Sequence, residues 1–226
     1  MKSLRPKVDD DSLTESKGIR TREKILFEAG ELFNKLGFVA TTTRDIASAV
    51  GIKQPSLYFH FKSKDEIASA LFDLSLTRPL ELTKFLLSTR QSATIKLYAY
   101  ISFDTQWLVG LPVNLTGIYQ DNVVARPEFK KWQKLDRELQ KNIQIMLDTG
   151  MKKGEFRKLD PVLAQQMISG INLKTIRRVG KHFRSLDNLH EEIAEFVLRG
   201  LLLKPVNFSE IRKSSRELLS KMSEKT

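Results

Sequence analysis

The 226-residue chain has no cysteine and only three histidines, and none of its apolar runs approaches the ~20 residues that a membrane span needs. Without thiols it forms neither disulfides nor thiolate metal sites, which suits a reducing compartment. His60, His182 and His190 do not have metal-ligand spacing, and the sequence lacks phosphate-binding loops, nucleophile motifs and a secretion signal. We therefore expect a cytoplasmic protein that is not an enzyme and has no metal, cofactor or membrane partner.

The positive charge of the chain is unevenly placed. Of the net charge of +11, little falls in residues 1–66, which hold 12 basic and 10 acidic residues. Solvated helix faces account for the excess in residues 67–226 more simply than a second binding surface does. Within Thr41–Lys64, however, Asp45 is opposed by four basic residues, Arg44, Lys53, Lys62 and Lys64. A local excess of this kind favours contact with phosphates.

The residues of this stretch predict two short helices around a tight turn. Thr42 can cap the first helix, and Asp45, three residues later, completes a capping box. Gly51 can end it, because a residue without Cβ adopts a left-handed conformation at low cost. Pro55 suits the first turn of the second helix, where its missing N–H has no intrahelical partner to lose.

The second helix has the anatomy of a DNA-recognition helix. Leu57 and Phe61 are four residues apart and predict the buried face. The other positions face outward and are polar or aromatic: Lys53, Gln54, Ser56, Tyr58, Phe59 and His60. An amphipathic helix at Thr21–Leu36, closed by Gly37, provides a third helix that can enclose a small core with these two.

The segment LFNKLGFVATTTRDIASAVGIKQPSLYFHFKSKDEI resembles the N-terminal signature of the TetR family of bacterial transcriptional regulators. Its most specific part is G-I-x-x-x-x-L-Y-x-H-F-x-x-K, here Gly51–Lys64. The resemblance implies a reader of a double-stranded DNA operator. It also implies a larger, variable helical domain that binds a small molecule and forms a homodimer through its last two principal helices.

The residues of the signature divide into two chemical roles on DNA. Four can contact phosphates and set the register, namely Thr43, Tyr58, His60 and Lys64, the last at a helix start whose dipole favours anions. Others can reach base edges, namely Arg44, Lys53, Gln54 and Ser56, with Pro55 limited to apolar contact. The chain departs from the family pattern at Lys53, Pro55 and Phe59. Phe59 cannot donate to a phosphate, which leaves apolar contact with a thymine methyl group.

The rest of the sequence predicts an all-α fold: an N-terminal three-helix helix-turn-helix domain and a larger helical ligand-binding and dimerisation domain. We expect a disordered arm at 1–18, the DNA-binding domain at 19–66, the larger domain at 67–205 and an extra C-terminal helix at 206–226 that packs on the body. The predicted helices include one from Lys64 that Pro79 interrupts or kinks and one that Pro127 opens. The resemblance assigns dimerisation to the helices from Pro161 to about Lys181 and from Asn188 to Leu203.

Large rings gather in the middle of the chain and predict a largely apolar ligand pocket. Its candidate residues are Tyr98, Phe103, Gln106, Trp107, Tyr119 and Trp132, with Phe129 nearby and polar contacts from Asn114, Thr116 or Gln120. Plain core packing explains such a ring cluster equally well. Two functions remain open: a repressor released from a palindromic operator by an unidentified small-molecule effector, and a DNA-binding protein that acts through protein partners without a small ligand.

Overall fold

The computed structural model describes residues 17–111, 113, 115–119, 123–182 and 188–223. In this part of the chain there are nine helices, α1 (Lys17–Leu36), α2 (Thr43–Val50), α3 (Gln54–His60), α4 (Lys64–Ser88), α5 (Ala93–Gly110), α6 (Lys130–Lys152), α7 (Pro161–His182), α8 (Leu189–Leu201) and α9 (Phe208–Ser223). Short 3-10 turns lie at Thr116–Tyr119, Val123–Ala125 and Pro127–Phe129. The described residues contain a single isolated β-bridge, between Phe156 and Leu202. The predicted all-α class is confirmed.

Several predicted helix boundaries differ from the observed ones. Helix α1 begins at Lys17, inside the predicted arm, whose residues 1–16 lie outside the described part of the chain. Helix α4 is not interrupted at Pro79, because buried side chains on both sides of it, including Leu76 and Leu80, hold the helix in place. Pro127 opens a 3-10 turn, and α6 starts three residues later at Lys130.

The first of two structural units contains the N-terminal helices as far as Asp73 together with residues 110–129, which we call the α5–α6 segment. Its core is formed by one buried face of each helix, as in Ile25, Phe33, Ile46, Leu57 and Phe61. Leu36, the last residue of the amphipathic helix predicted at Thr21–Leu36, is half exposed. The sequence had placed residues 110–129 in the larger domain.

The second unit comprises residues 74–109 and 130–226. Its core includes Leu97 of α5, Ile143 of α6, Ile168 of α7 and Leu198 of α8. Helix α9 contributes three buried residues to this core, Ile211, Leu218 and Met222. The C-terminal helix therefore packs on the body of its unit, as expected.

Candidate DNA interface and effector unit

The start of α2 is fixed by the predicted capping box. The Asp45 amide donates to Thr42 Oγ1 at 3.1 Å, and the Thr42 amide donates to Asp45 Oδ2 at 2.9 Å. Hydrogen bonds from Thr42 hold the pKa of Asp45 below its ordinary value. These reciprocal bonds satisfy amides that a helix N-terminus would otherwise leave free.

The turn between α2 and α3 depends on Gly51, whose φ of 78° lies in the left-handed region. Helix α3 follows at Gln54, with Pro55 in its first turn, and Lys53 precedes it without a side-chain cap. Leu57 is fully buried, so α3 packs through this face and exposes the other. Residues 42–61 thus form two helices joined by a tight turn, as the sequence predicts.

The outer face of α3 presents an unusual mixture of groups to solvent. Lys53, Pro55, Ser56 and Tyr58 are exposed. The Phe59 side chain is 87% exposed and contacts His60 edge to face, with ring centroids 5.3 Å apart. Arg44 is exposed on α2. A phenyl ring this exposed on a short helix gains little from packing within the chain, which favours contact with another molecule.

Three of the predicted DNA-contact residues bind each other. Gln54 Nε2 donates to Thr43 Oγ1 at 3.1 Å and to Tyr58 Oη at 3.3 Å, and the two hydroxyl groups are 3.2 Å apart. This cluster ties the first turn of α2 to α3. It holds the hydroxyl groups of Thr43 and Tyr58 side by side at the surface.

Lys64 makes contacts that the sequence did not reveal. Its Nζ donates to the carbonyl oxygens of Phe38 and Thr41, both at 2.6 Å, and of Val39 at 3.2 Å, and it lies 4.5 Å from the centroid of the Phe38 ring. Burial lowers the pKa of Lys64. An ammonium group has three N–H donors, and here three carbonyl groups receive them. The phosphate contact expected of Lys64 would require it to release at least one.

Two further basic residues of α1, although exposed, contact the helical framework through their charged groups. Lys24 Nζ donates to the carbonyl oxygen of Val50 at 2.9 Å, at the end of α2. The Arg22 guanidinium lies 4.7 Å from the centroid of the buried Phe61 ring. Part of the positive charge of this unit therefore stabilises the helix arrangement itself.

In the second unit, the candidate ligand residues of α5 point in two directions. Tyr98 is buried, and its hydroxyl lies beside Arg212 of α9. Burial raises the pKa of Tyr98, while the neighbouring Arg212 acts in the opposite sense. Trp107 instead donates its indole N–H to the carbonyl oxygen of Leu74 at 2.9 Å and stacks on Phe103, with ring centroids 6.1 Å apart. Tyr98 and Trp107 are nine positions apart, a separation that places their side chains about 180° apart around the helix.

The remaining candidates have different surroundings. Gln106 is exposed, and Trp132 lies against Lys131 at 4.8 Å. Tyr119 belongs to the first unit, where its ring contacts Phe72 at 6.0 Å. Asn114, Gln120 and the side chain of Thr116 lie outside the described residues. Of the six candidate ligand residues, Phe103 and Trp107 thus contact each other through their rings.

A buried polar cluster between α5 and α7 was missed in the sequence. Asn172 Nδ2 donates to Asp104 Oδ2 at 3.0 Å, and Thr105 Oγ1 donates to Asn172 Oδ1 at 3.3 Å. Burial raises the pKa of Asp104 to about 6, against the opposing hydrogen bonds from Asn172 and Tyr100. The available signal was Asp104 itself, the one charged residue between Leu97 and Val109.

Residues 17–223, apart from the gaps stated above, contain no group of three or more side chains arranged to hold a metal ion. None of the helices in the same residues combines the length and hydropathy that crossing a bilayer requires.

A capped helix, a glycine turn and a second short helix with an exposed polar and aromatic face define a helix-turn-helix DNA-binding protein. A sequence profile described as "Bacterial regulatory proteins, tetR family" matches residues 25–71, which contain this motif. The HTH-type transcriptional repressor KstR2 of Rhodococcus jostii is 32% identical over 190 residues, which cover 80% of this chain and 90% of that protein. The chain belongs to the TetR family of bacterial transcriptional regulators, which bind operator DNA.

Two solved structures extend the similarity beyond the DNA-binding motif. AmtR of Mycobacterium smegmatis is 28% identical, with a TM-score of 0.77 over 88% of this chain and 94% of that one. AibR, solved in complex with isovaleryl coenzyme A and operator DNA, shares the fold at 16% identity, with a TM-score of 0.65 over 80% of this chain and 98% of that one. The helical second unit is therefore also typical of TetR-family regulators.

Proposed function

We propose that this DNA-binding regulator is a repressor, which binds a palindromic operator as a homodimer and leaves it when a small-molecule effector binds. Its similarity to KstR2, a repressor, over most of both chains supports repression rather than activation. The observation that carries the operator contact is the exposed face of α3, with Lys53, Ser56 and Phe59 available to the bases. Lysine suits guanine, and a phenyl ring suits a thymine methyl group.

Phosphate contacts would come from residues beside this face. The paired hydroxyl groups of Thr43 and Tyr58 share one hydrogen bond, so one O–H hydrogen stays available for a phosphate oxygen. Arg44 supplies charge, and His60 a further hydrogen bond. Gln54 would read a base through its amide while it also positions the two hydroxyl groups.

The dimer interface would lie on α7 and α8. Both helices bury one face in their own unit and expose a second apolar face, including Met167 at 60% exposure and Phe196 at 71%. Leu163 is also half exposed on α7. A Cβ added at Gly170 or Gly200 would meet nothing within 4 Å, so a partner helix could approach closely there. An apolar surface of this kind usually marks a protein interface.

The effector would bind in the second unit beside the stacked rings of Phe103 and Trp107. These rings share one side of α5 with Asp104 and Tyr100, since the four positions fall within about 100° of the helix circumference. A small, partly apolar metabolite or xenobiotic with one polar group would suit this combination. AibR provides a precedent within the fold, since it has been solved with both an acyl-coenzyme A and operator DNA. The effector must bind more tightly to the conformer with lower operator affinity, because otherwise it releases nothing.

Selection of DNA fragments from a random double-stranded library by the purified protein tests the proposal. We expect an inverted repeat whose half-site centres lie ~34 Å apart, or a multiple of that distance. Gln54→Ala should relax discrimination at one base by about 1–3 kcal/mol. Lys53→Ala should change base preference. Lys35 is exposed at the end of α1, so Lys35→Ala controls for the loss of one positive charge. Footprints on a single asymmetric half-site would contradict the operator proposal.

The effector part needs a separate experiment. Compounds that raise the melting temperature are tested for release of the selected DNA, since a ligand of the native state stabilises it by mass action. Trp107→Ala should lose or change this release while operator affinity without ligand stays close to that of the wild type. A variant that loses stability and operator binding, yet responds normally to the compound, would show that Trp107 serves only packing.

A further inference from the structure

The α5–α6 segment contacts α1 at a point where only glycine fits. Gly117, in the 3-10 turn Thr116–Tyr119, faces the backbone of α1: an added Cβ would stand 2.5 Å from the carbonyl carbon of Phe33 and 2.7 Å from its oxygen, with the Asn34 nitrogen also in contact. The backbone of a packed helix cannot move aside as the tip of a side chain can. Any larger residue at this position must therefore lift the turn from α1.

The same segment makes a second contact with the N-terminal part of the chain at Phe38, five residues after Phe33. The Arg126 guanidinium lies 5.2 Å from the centroid of the Phe38 ring, and the Phe129 ring lies 6.1 Å from it. Phe38 is fully buried and also receives the ammonium group of Lys64. Its carbonyl oxygen and that of Thr41 are the ones that Lys64 binds most closely. The loop after α1 is thus held from α4 and from the α5–α6 segment at once.

This loop determines where α2 begins. Thr41 is fully buried and hydrogen-bonds the carbonyl oxygens of Gly37 and Leu32. The next residue, Thr42, caps α2. A displacement at Phe33 or Phe38 can therefore reach the capping residue through this loop, and through Thr42 the cluster of Thr43, Gln54 and Tyr58 that joins α2 to α3.

We propose that the α5–α6 segment is a latch that sets the position of the loop between α1 and α2, with Gly117 as its positioning residue. The segment connects α5 to α6, and both helices belong to the second unit. A shift of either helix would therefore displace the latch. This route would carry the effector signal to the DNA-reading helices, and in that respect the inference rests on the proposed function. The mechanical link itself can be tested without an effector.

The test compares Gly117→Ala with Gly110→Ala in the full-length protein. Gly110 is a matched control, because it begins the same segment and an added Cβ there meets nothing within 4 Å. We expect Gly117→Ala to accelerate amide hydrogen exchange in residues 33–42 and to weaken binding of the DNA fragment selected by the wild type about tenfold. Gly110→Ala should match the wild type in both measurements. Both are made at a temperature where circular dichroism shows each variant folded.

A milder pair of variants addresses the second contact and replaces the first pair if Gly117→Ala does not fold. Arg126→Gln removes the guanidinium from the Phe38 ring, where the Lys64 ammonium remains, and also breaks the ion pair with Glu128. Glu128→Gln breaks the same ion pair but leaves the guanidinium over the ring. We expect amide hydrogen exchange in residues 33–42 to be faster in Arg126→Gln and to match the wild type in Glu128→Gln.

The outcomes separate the two proposals. The latch proposal would be overturned if amide hydrogen exchange and DNA affinity were the same in Gly117→Ala as in Gly110→Ala, and the same in Arg126→Gln as in Glu128→Gln. A wild-type protein that enriches no DNA sequence would instead overturn the operator proposal, and the exchange comparison would still decide whether the segment positions the loop.

Discussion

The ammonium group of Lys64 lies among three carbonyl oxygens of the loop between α1 and α2. Lys64→Met would keep much of the aliphatic stem but leave these partly buried carbonyl groups without their donor. We expect the free energy of unfolding to fall by about 1–3 kcal/mol, measured by urea denaturation. Lys62→Met, at an exposed neighbouring position, controls for loss of one positive charge.

The alternative role of Lys64 gives a different result. If its main contact is with a phosphate, Lys64→Met will unfold at the same urea concentration as Lys62→Met. It will then weaken binding to every DNA sequence alike and reduce the salt dependence of binding. The two measurements together therefore assign the residue.

Asp104 should make stability depend on pH. Its pKa is raised to about 6 from 3.8, so the folded protein binds this proton more tightly than the unfolded chain does. The carboxyl group therefore costs little below pH 4, and its cost grows as the pH rises through 6, to on the order of 3 kcal/mol above it. In urea denaturation we expect the stability of Asp104→Asn relative to the wild type to increase as the pH rises from 3.8 to about 6, and to stay constant at higher pH. Asp148→Asn, which removes a carboxylate on α6 whose side chain is half exposed, is the control variant.

Helix α9 is held to α8 by ion pairs as well as by apolar packing. Arg212 Nη2 donates to Glu195 Oε1 at 2.6 Å, Arg216 Nη2 donates to Glu191 Oε1 at 2.7 Å, and Arg212 Nε lies 3.1 Å from Glu191 Oε2. Glu191 is nearly buried, which makes it the centre of the arrangement. Ion pairs of this geometry are stronger than isolated surface pairs because the shared carboxylate is largely removed from water.

Removal of this shared charge should loosen α9 locally. In Glu191→Gln we expect faster hydrogen exchange across residues 208–223 and a loss of about 1–3 kcal/mol in the free energy of unfolding. Glu192→Gln changes an exposed neighbour on the same helix and should have neither effect. Equal exchange in the two variants would mean that the apolar contacts of Ile211, Leu218 and Met222 hold α9 without the ion pairs.

The elements of the DNA-binding motif were predictable because each has a local signal. Thr42 with Asp45 begins α2, Gly51 ends it, and Pro55 begins α3, and these choices depend on backbone chemistry within a few residues. The helical period also predicts that Tyr98 and Trp107 lie on opposite faces of α5. Their clustering in the sequence nevertheless predicted one pocket that includes both rings.

Contacts between distant parts of the chain could not be predicted from such signals. The carbonyl groups around Lys64 lie more than 20 residues away from it, and the partner of Asp104 lies 68 residues away. No periodicity relates such positions, since their proximity depends on how whole helices pack. The grouping of residues 110–129 with the N-terminal helices has the same origin.

At the scale of the whole molecule, the exposed faces of α7 and α8 predict association. Gly200→Glu or Phe196→Glu would place a carboxylate in the proposed interface, where its desolvation is costly. We expect light scattering to show dimers for the wild type and monomers for both variants. Phe27→Glu, on the exposed side of α1, should remain dimeric. If the Gly200→Glu variant stays dimeric and binds the selected DNA normally, the dimer interface lies elsewhere.

The first unit is assembled from two stretches of chain, residues up to Asp73 and the α5–α6 segment. Recombination between relatives with one breakpoint after Asp73 would join a foreign α1 to the resident Gly117 and Arg126. The foreign loop between α1 and α2 would then contact an α5–α6 segment that did not evolve with it. Such an exchange would transfer operator preference intact only if two breakpoints carried both stretches together, or if the incoming stretch also had an aromatic ring at position 38.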